Sequence, residues 1–188
     1  MKSVLLIALV LVLSASVVFA QPRVGLYADN LGNACDVADG AGAKQVYCLV
    51  TGIPFMTGVQ FKATVPACWT GASYLADASQ SPVTIGNSQT GIAIAFGTCQ
   101  ATPKYVLSIT YLTSGATSAC CVYPLTPDPS VPSGSIEFVD CSSNQLFGVG
   151  QSGVITPTGG PLPNCACVDV VPAETSTWGQ VKAIFSTN

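Results

Sequence analysis

The chain has 188 residues, of which 49% are hydrophobic and only 8% are charged, with six Lys plus Arg, nine Asp plus Glu and no histidine. Six scattered cations cannot form the basic stripe that nucleic-acid binding requires, so we expect no nucleic-acid partner. The apolar content and the small net charge of −3 exclude an intrinsically disordered chain. The missing histidine excludes every mechanism that needs a histidine base or a histidine metal ligand.

The first twenty residues, 1–20, have the pattern of a secretory signal peptide. Lys2 precedes an unbroken apolar run over 4–13, and Val18 and Ala20 fit the small-residue cleavage site. A run of about ten apolar residues is short for a membrane span, which needs about 20. We therefore expect cleavage after Ala20, secretion to the extracellular space, cell surface or periplasm, and no membrane span in the mature chain.

Alternation of apolar and polar residues predicts β-strands through most of the mature chain. In chain order we expect strands at 23–28, 44–51, 59–65, 82–85, 92–96, 105–112, 118–123, 135–140, 145–149 and 153–155. A short helical turn is expected only near 73–76. Gly and Pro clusters separate the strands at the spacing typical of sandwiches. The sequence thus predicts an all-β domain over 21–171. We expect an immunoglobulin-like, two-sheet antiparallel β-sandwich with disulfides, with a jelly roll or a small barrel as the alternatives.

A linker and a short amphipathic C-terminal helix are predicted over 172–188. Thr177 and Gln180 have the spacing of a capping box, which begins a helix. The residues that then share one helical face are Trp178, Val181, Ile184 and Phe185. A helix this short is marginal alone, so the face either docks on its own domain or serves as a partner-binding or sorting tag.

Nine cysteines in an exported chain predict disulfides rather than free thiols. Because nine is odd, at least one cysteine is unpaired, joins two chains in a covalent dimer or binds something else. The adjacent Cys120 and Cys121 point to opposite faces of a strand, so we expect them to bond to different partners. Connectivity does not follow from spacing alone. The disulfide candidates are Cys35, Cys48, Cys68, Cys99, Cys120, Cys121, Cys141, Cys165 and Cys167.

Both ends of the mature chain carry a motif. The first is Val24-Gly-Leu-Tyr-Ala-Asp29 followed by Cys35, and the second is Thr177-Trp-Gly-Gln-Val-Lys-Ala-Ile-Phe185. Together they resemble a group of secreted bacterial β-sandwich proteins of uncharacterised function. The resemblance implies a bacterial envelope or extracellular protein with an immunoglobulin-like fold, and it implies no catalytic residue.

Two segments have side chains suited to metal binding. Cys165 and Cys167 offer thiolates to a soft metal such as Cu(I), although an oxidising compartment favours disulfides. An early loop offers oxygen ligands for calcium, but its spacing is not that of an EF-hand, and Asp and Asn are ordinary turn residues. The weak calcium candidates are Asp29, Asn33, Asp36 and Asp39. We expect no metal and no cofactor.

Side chains for catalysis are sparse. Glu137 and Asp140 lie three apart near a predicted strand, so they point to opposite faces and make a poor carboxylate pair. Trp69, Tyr74 and Tyr123 offer rings for stacking on sugars or partners, although Trp69, beside a cysteine, is expected to pack in the core.

The sequence favours a non-enzymatic secreted binding or structural module of the bacterial envelope or extracellular space, with an unknown protein or glycan partner. The alternatives are a secreted carboxylate-dependent hydrolase, for example one that acts on glycans, and a disulfide-rich inhibitor or ligand protein.

Overall fold

A computed structural model of the chain describes residues 21–117 and 120–157, and the backbone of 169–170. The strands are β1 (Arg23–Tyr27), β2 (Asp36–Asp39), β3 (Gly42–Thr51), β4 (Phe55–Phe61), β5 (Ser73–Ser79), β6 (Val83–Asn87), β7 (Gly91–Ala101), β8 (Lys104–Thr113), β9 (Cys121–Tyr123), β10 (Ile136–Val139), β11 (Gln145–Gln151), β12 (Gly153–Pro157) and β13 (Asp169–Val170).

The signal peptide over 1–20, the cysteines at 165 and 167 and the amphipathic segment 177–185 lie outside the described residues. Within the described part of the chain, no helix has the length and apolarity that a membrane span needs.

One long sheet carries most of the strands, in the order β5-β8-β3-β1-β11-β10-β4-β7-β6. β11 joins its two halves, because its first residues pair with β10 and its last residues pair with β1. A second, smaller sheet has the order β2-β12-β9. The halves of the long sheet share one apolar core, so the predicted all-β sandwich with disulfides is confirmed. Its architecture is of the jelly-roll type, which was the alternative to an immunoglobulin-like order.

The sandwich is not wholly antiparallel, in contrast to the prediction. β1 runs parallel to β11, with Arg23 opposite Val149, and β12 runs parallel to β2, with Val154 opposite Asp36. Both pairs join segments that are more than a hundred positions apart in the sequence. Local alternation gives no sign of such pairing, because a strand shows the same period beside a parallel or an antiparallel neighbour.

The core collects the inward side chains of both halves. Phe61 and Phe138 from one half and Leu26 and Leu107 from the other belong to one cluster, and all four are buried. Within the same cluster, the ring of Trp69 packs 4.7 Å from that of Tyr111 and 6.1 Å from that of Tyr123.

The expected core position of Trp69 is confirmed, and the proposal of Tyr123 as an exposed stacking ring is wrong because its side chain is fully buried. Tyr74 is half-buried against Tyr111, with 6.2 Å between the ring centroids.

Two segments differ from the sequence prediction. Residues 73–76, expected to form a helical turn, belong to β5, which pairs with β8 at the edge of the sheet. A bulge between Tyr74 and Ala76 breaks the alternation there, and the strand pattern is lost. The sequence predicts an early loop over the region of β2, whereas the structure has a strand there, because these residues pair with the distant β12.

Disulfides link Cys68 to Cys121 and Cys99 to Cys141. Cys35 and Cys120 are also disulfide-bonded, so the adjacent cysteines at 120 and 121 have different partners, as predicted. Cys48 is a free thiol with 0% exposure. Because an intermolecular bond needs a surface thiol, Cys48 is not placed to form the covalent dimer that an odd cysteine suggested.

Candidate functional site

Large apolar side chains that face solvent gather on one surface of the sandwich. Ile85 is 69% exposed, Phe147 51%, Val83 49% and Val139 36%. They belong to β6, β10 and β11, and the strands between them are β4 and β7. We call the outer surface of β6, β7, β4 and β10, with the adjoining start of β11, the groove face.

The strand registers align one row of outward residues across the groove face. Ile85 is opposite Ala93, Ala93 is opposite Gln60, Gln60 is opposite Glu137, and Glu137 is opposite Phe147. Because directly paired residues lie on the same face of a sheet, these five form a continuous line across five strands.

A second row lies two residues along each strand. Val83 is opposite Ala95, Ala95 is opposite Gly58, Gly58 is opposite Val139, and Val139 is opposite Gln145. The inward residues between the rows include Val59, Ile94 and Phe138, which pack in the core. The alternation therefore fixes which side of each strand faces solvent.

The size of the side chains shapes a groove. Small residues, namely Gly58, Ala93 and Ala95, form its floor, while Val83 and Ile85 rise on one side and Val139 on the other. The groove has a volume of about 270 Å³. A Cβ built on Gly58 would lie 3.0 Å from the carbonyl oxygen of Ile94, so the floor leaves little room for a larger side chain at this position.

One polar bridge crosses this apolar surface. Gln60 Nε2 donates to Glu137 Oε2 at 2.6 Å, and Ser133 Oγ donates to Glu137 Oε1 at 2.9 Å. The Glu137 side chain is only 8% exposed, and a carboxylate so close to apolar neighbours is stable only when it is hydrogen-bonded. The bridge places a fixed acceptor in the middle of the groove.

A tight loop closes one end of the groove. Asp140 accepts hydrogen bonds from the backbone of Ser142 and from both the side chain and the backbone of Asn144. The Asn144 side chain and then its backbone lower the pKa of the Asp140 carboxyl. Thr57 Oγ1 donates to the carbonyl of Asp140 at 3.1 Å, which ties the loop to β4. The disulfide from Cys141 to Cys99 ties it to β7.

The groove suits binding better than bond cleavage. Glu137 is the one carboxylate among the residues that line it, and both of its oxygens already accept hydrogen bonds. A glycosidase needs two carboxyl groups about 5–10 Å apart across the scissile bond. The groove instead has aliphatic walls and one hydrogen-bond acceptor. These features match a ligand in which apolar side chains flank a hydrogen-bond donor.

The calcium candidates have other structural roles. Asp29 accepts hydrogen bonds from the backbone of Leu31, Asn33 and Ala34, so its carboxylate closes a turn. Asp39 is buried on β2. It accepts from Trp69 Nε1 at 2.9 Å and from the Thr117 backbone at 2.8 Å.

Asp36 lies at the start of β2. Within 21–117 and 120–157, no three cysteine, aspartate or glutamate side chains form a cluster that could hold a metal ion.

The groove face is not apparent in the sequence because its residues come from five different strands. Val83 and Ile85 showed the right spacing for one face of a strand, and the alternation around Gln60 correctly placed that residue outward. Only the registers reveal that these faces adjoin. The one local signal was a pair of β-branched residues at 83 and 85 beside the small residues at 93 and 95.

No family model matches the sequence, and no curated protein matches it. Several solved structures share the fold at low sequence identity. The sixth cohesin of Acetivibrio cellulolyticus scaffoldin B, solved in complex with a mutant dockerin, is 14% identical, with a TM-score of 0.51 over 73% of this chain and 99% of the cohesin.

Two further cohesins are similar in the same way. A cohesin module from a Clostridium perfringens family 33 glycoside hydrolase is 8% identical, with a TM-score of 0.51 over 74% of this chain and 98% of its own. A non-cellulosomal cohesin from the archaeon Archaeoglobus fulgidus is 11% identical, with a TM-score of 0.50 over 72% and 90%. The chain therefore has a cohesin-like jelly-roll fold.

Proposed function

We propose that the chain is a secreted, non-enzymatic protein-binding module that receives its partner on the groove face. The observation that carries this proposal is the pair of aligned rows, which cross five strands and bring four exposed apolar side chains onto one surface. Contiguous exposed apolar surface is rare on monomeric proteins and marks places where another molecule binds. An apolar centre with few charges is typical of the core of a protein–protein interface.

A protein partner fits the groove better than a glycan does. Sugar sites present exposed aromatic faces on which sugar rings stack. Trp69 and Tyr123 are buried in the core, and the residues that line the groove are not aromatic. Phe147 lies on the groove face outside that lining. The fold adds support, since the solved A. cellulolyticus cohesin holds a dockerin, which is a protein.

Export is part of the proposal. The signal-peptide pattern over 1–20 and the two disulfides between described cysteines both favour an oxidising compartment outside the cytosol. The resemblance of the two ends to secreted bacterial proteins favours the bacterial envelope or extracellular space.

Matched single substitutions test the binding site. The purified mature protein captures its partner from the secreted fraction of the source organism, and the isolated partner is then titrated calorimetrically against the wild type and two variants. Ile85→Asp places a charge on the groove face, and Leu112→Asp places the same charge on β8 in the other half, where Leu112 is 51% exposed.

We expect Ile85→Asp to weaken binding at least about tenfold, because covering an unpaired carboxylate costs about 1.4 kcal/mol or more. Leu112→Asp should bind like the wild type. Equal affinities of the two variants would contradict the proposed site. Protein-dependent turnover of glycan, peptide or ester substrates would contradict the non-enzymatic assignment.

A further inference from the structure

We propose that the outer surface of the other half of the sandwich, opposite the groove face, binds a neutral saccharide through Tyr47 and Tyr105. The inference goes beyond the proposed function, because it concerns a different surface and a different class of ligand and uses none of the groove residues. Its basis is a pair of partly exposed aromatic rings beside hydrogen-bonding side chains, among outward residues that carry no charge.

The strand registers define this second surface. Val46 and Cys48 of β3 pack in the core, as do Ile109 and Leu107 opposite them on β8. The residues that alternate with them therefore point to the outer side of the sheet. We call the outer surface of β5, β8, β3 and β1 the tyrosine face. Its central row of directly paired residues is Ala78, Ser108, Tyr47 and Tyr27.

Two tyrosine rings form a corner on the tyrosine face. Tyr105 is opposite Leu49, which lies two positions along β3 from Tyr47. The ring centroids of Tyr47 and Tyr105 are 5.6 Å apart, and the ring planes meet at 67°. Both side chains keep part of their surface exposed. Because the planes are steeply inclined, one sugar ring can rest its C–H face on one tyrosine and meet the edge of the other.

An amide beside the corner can bind sugar hydroxyls. The Tyr47 hydroxyl donates to Gln45 Oε1 at 2.7 Å, which fixes the amide next to the ring. Gln45 is exposed, and among the described residues its Nε2 has no hydrogen-bond partner. This nitrogen is therefore free to donate to a ligand, while the Tyr47 oxygen can still accept. A sugar hydroxyl, which both donates and accepts, can bond to both groups.

The absence of charge on the outward rows favours a neutral sugar. Anionic ligands are bound through Arg, Lys or clustered backbone donors, and cationic ones through carboxylates. The paired outward residues of the tyrosine face include no Asp, Glu, Lys or Arg. Besides the central row they are Ala76, Thr110 and Gln45 on one side, and Tyr105, Leu49, Gly25 and Gln151 on the other.

Small side chains leave the corner open toward one edge of the sheet. From Tyr47 the central row continues through Ser108 to the exposed Ala78 on β5, which is the edge strand. Two strand spacings make this open strip about 10 Å wide, so a chain of sugars bound at the corner can continue across it. Tyr27, on the other side, is only 9% exposed and donates to Gln151 at 2.9 Å, so it supports the surface from beneath.

Titration with defined sugars tests the inference. The neutral probes are cellopentaose, xylopentaose, mannopentaose and the pentamer of N-acetylglucosamine, and the charged comparison is pentagalacturonic acid. NMR spectra of the purified mature protein follow each titration. We expect at least one neutral probe to bind with a Kd of about 1 mM or lower, and the acidic probe to bind at least about tenfold more weakly than that one.

Single substitutions locate the site. Tyr47→Ala should weaken binding of the neutral probe at least about fivefold, because it removes the ring on which the sugar stacks. Tyr47→Phe keeps the ring and should bind within about threefold of the wild type. Phe147→Ala removes an exposed ring from the groove face and serves as the matched control, with wild-type affinity expected.

A second variant covers the case in which thermal melting shows that Tyr47→Ala is unfolded. Gln45→Ala changes an exposed side chain and should weaken binding about threefold or more. Saturation transfer from the tyrosine ring protons to the sugar provides a direct readout. We expect the transfer to be strongest at the C–H protons of one sugar ring, lost in Tyr47→Ala and kept in Phe147→Ala.

Three outcomes overturn the inference. The first is that no neutral probe binds at about 10 mM. The second is that Tyr47→Ala and Gln45→Ala both bind the sugar like the wild type. The third is that Phe147→Ala loses as much affinity as Tyr47→Ala, because the sugar then occupies the groove face.

The groove variant separates this inference from the proposed function. Ile85→Asp should bind the sugar like the wild type, because Ile85 lies on the groove face. If Ile85→Asp loses the protein partner while no neutral probe binds the wild type, the inference fails and the binding module stands. If Tyr47→Ala loses the sugar while Ile85→Asp keeps full affinity for the partner, the saccharide site stands and the proposed function fails.

Discussion

Gln60 donates its side-chain amide to Glu137 over 2.6 Å, which joins the two central strands of the groove face through their outward side chains. The two residues are directly opposite each other in the β4–β10 register. Ser133 holds the second oxygen of the same carboxylate. A nearly buried acid is thereby fixed in an otherwise apolar groove, and its position depends on a neutral neighbour across the strand.

Gln60→Glu should destabilise the fold by about 1–3 kcal/mol at neutral pH, because it removes a hydrogen bond and sets two carboxylates opposite each other. Acid neutralises carboxylates and so removes this repulsion. The loss of stability should therefore shrink as pH falls and grow as pH rises. Urea unfolding at neutral and acidic pH measures the change, with Gln100→Glu on β7 as the control. A deficit that is independent of pH would contradict this prediction.

Asp39→Asn should lower the free energy of unfolding by about 1.5–3 kcal/mol at neutral pH. The substitution weakens the hydrogen bonds that Trp69 and Thr117 donate, because the acceptor is no longer charged. Burial raises the pKa of Asp39, but the bonds from Trp69 and Thr117 outweigh burial and the net shift is downward. A lowered pKa contributes stability above the unfolded value, and this stability is lost as pH falls through the folded value.

The difference in the free energy of unfolding between the wild type and Asp39→Asn should therefore become smaller in acid. Denaturant unfolding across that pH range checks this, and Asp36→Asn on the same strand serves as the control. If Asp36→Asn costs as much as Asp39→Asn, the bonds to Trp69 and Thr117 are not the cause.

Cys48 should resist alkylation in the folded protein and react only after denaturation. Burial, and then the charge of Asp77, raise the pKa of its thiol, so it is protonated as well as inaccessible. Peptide mapping without reduction should recover Cys48 unlinked, with Cys68 joined to Cys121 and Cys99 to Cys141. Modification of native Cys48 at the rate of the denatured chain would disagree with its position in the core.

Strands that bury one face could be predicted from the sequence. The alternation over 105–112 appears in the structure as β8, which lies between β3 and β5. β5 was not predictable because it lies at a sheet edge and carries a bulge near Tyr74, so burial does not impose a regular period. β2 owes its conformation to a partner more than a hundred residues away, which no local pattern contains.

The groove face could not be predicted from the sequence for a similar reason. Each strand alone presents two outward residues, such as Val83 with Ile85 or Ala93 with Ala95, and single exposed apolar residues are ordinary. The site exists only because four registers align these pairs into rows. Asp39 illustrates the opposite limit, since the sequence shows a carboxylate suited to a metal but does not show that this carboxylate accepts a hydrogen bond from Trp69 in the folded chain.

The disulfide between Cys99 and Cys141 has a mechanical consequence. Cys99 lies in β7, Cys141 follows β10, and β4 lies between these two strands. When the chain is pulled from its ends, the bond removes a stretch of 42 positions, about 140 Å of extended length, from the path that carries tension. The strands that border β4 stay joined at one end even after hydrogen bonds elsewhere have parted. A load applied along the chain therefore bypasses β10, the groove-face strand that carries Glu137.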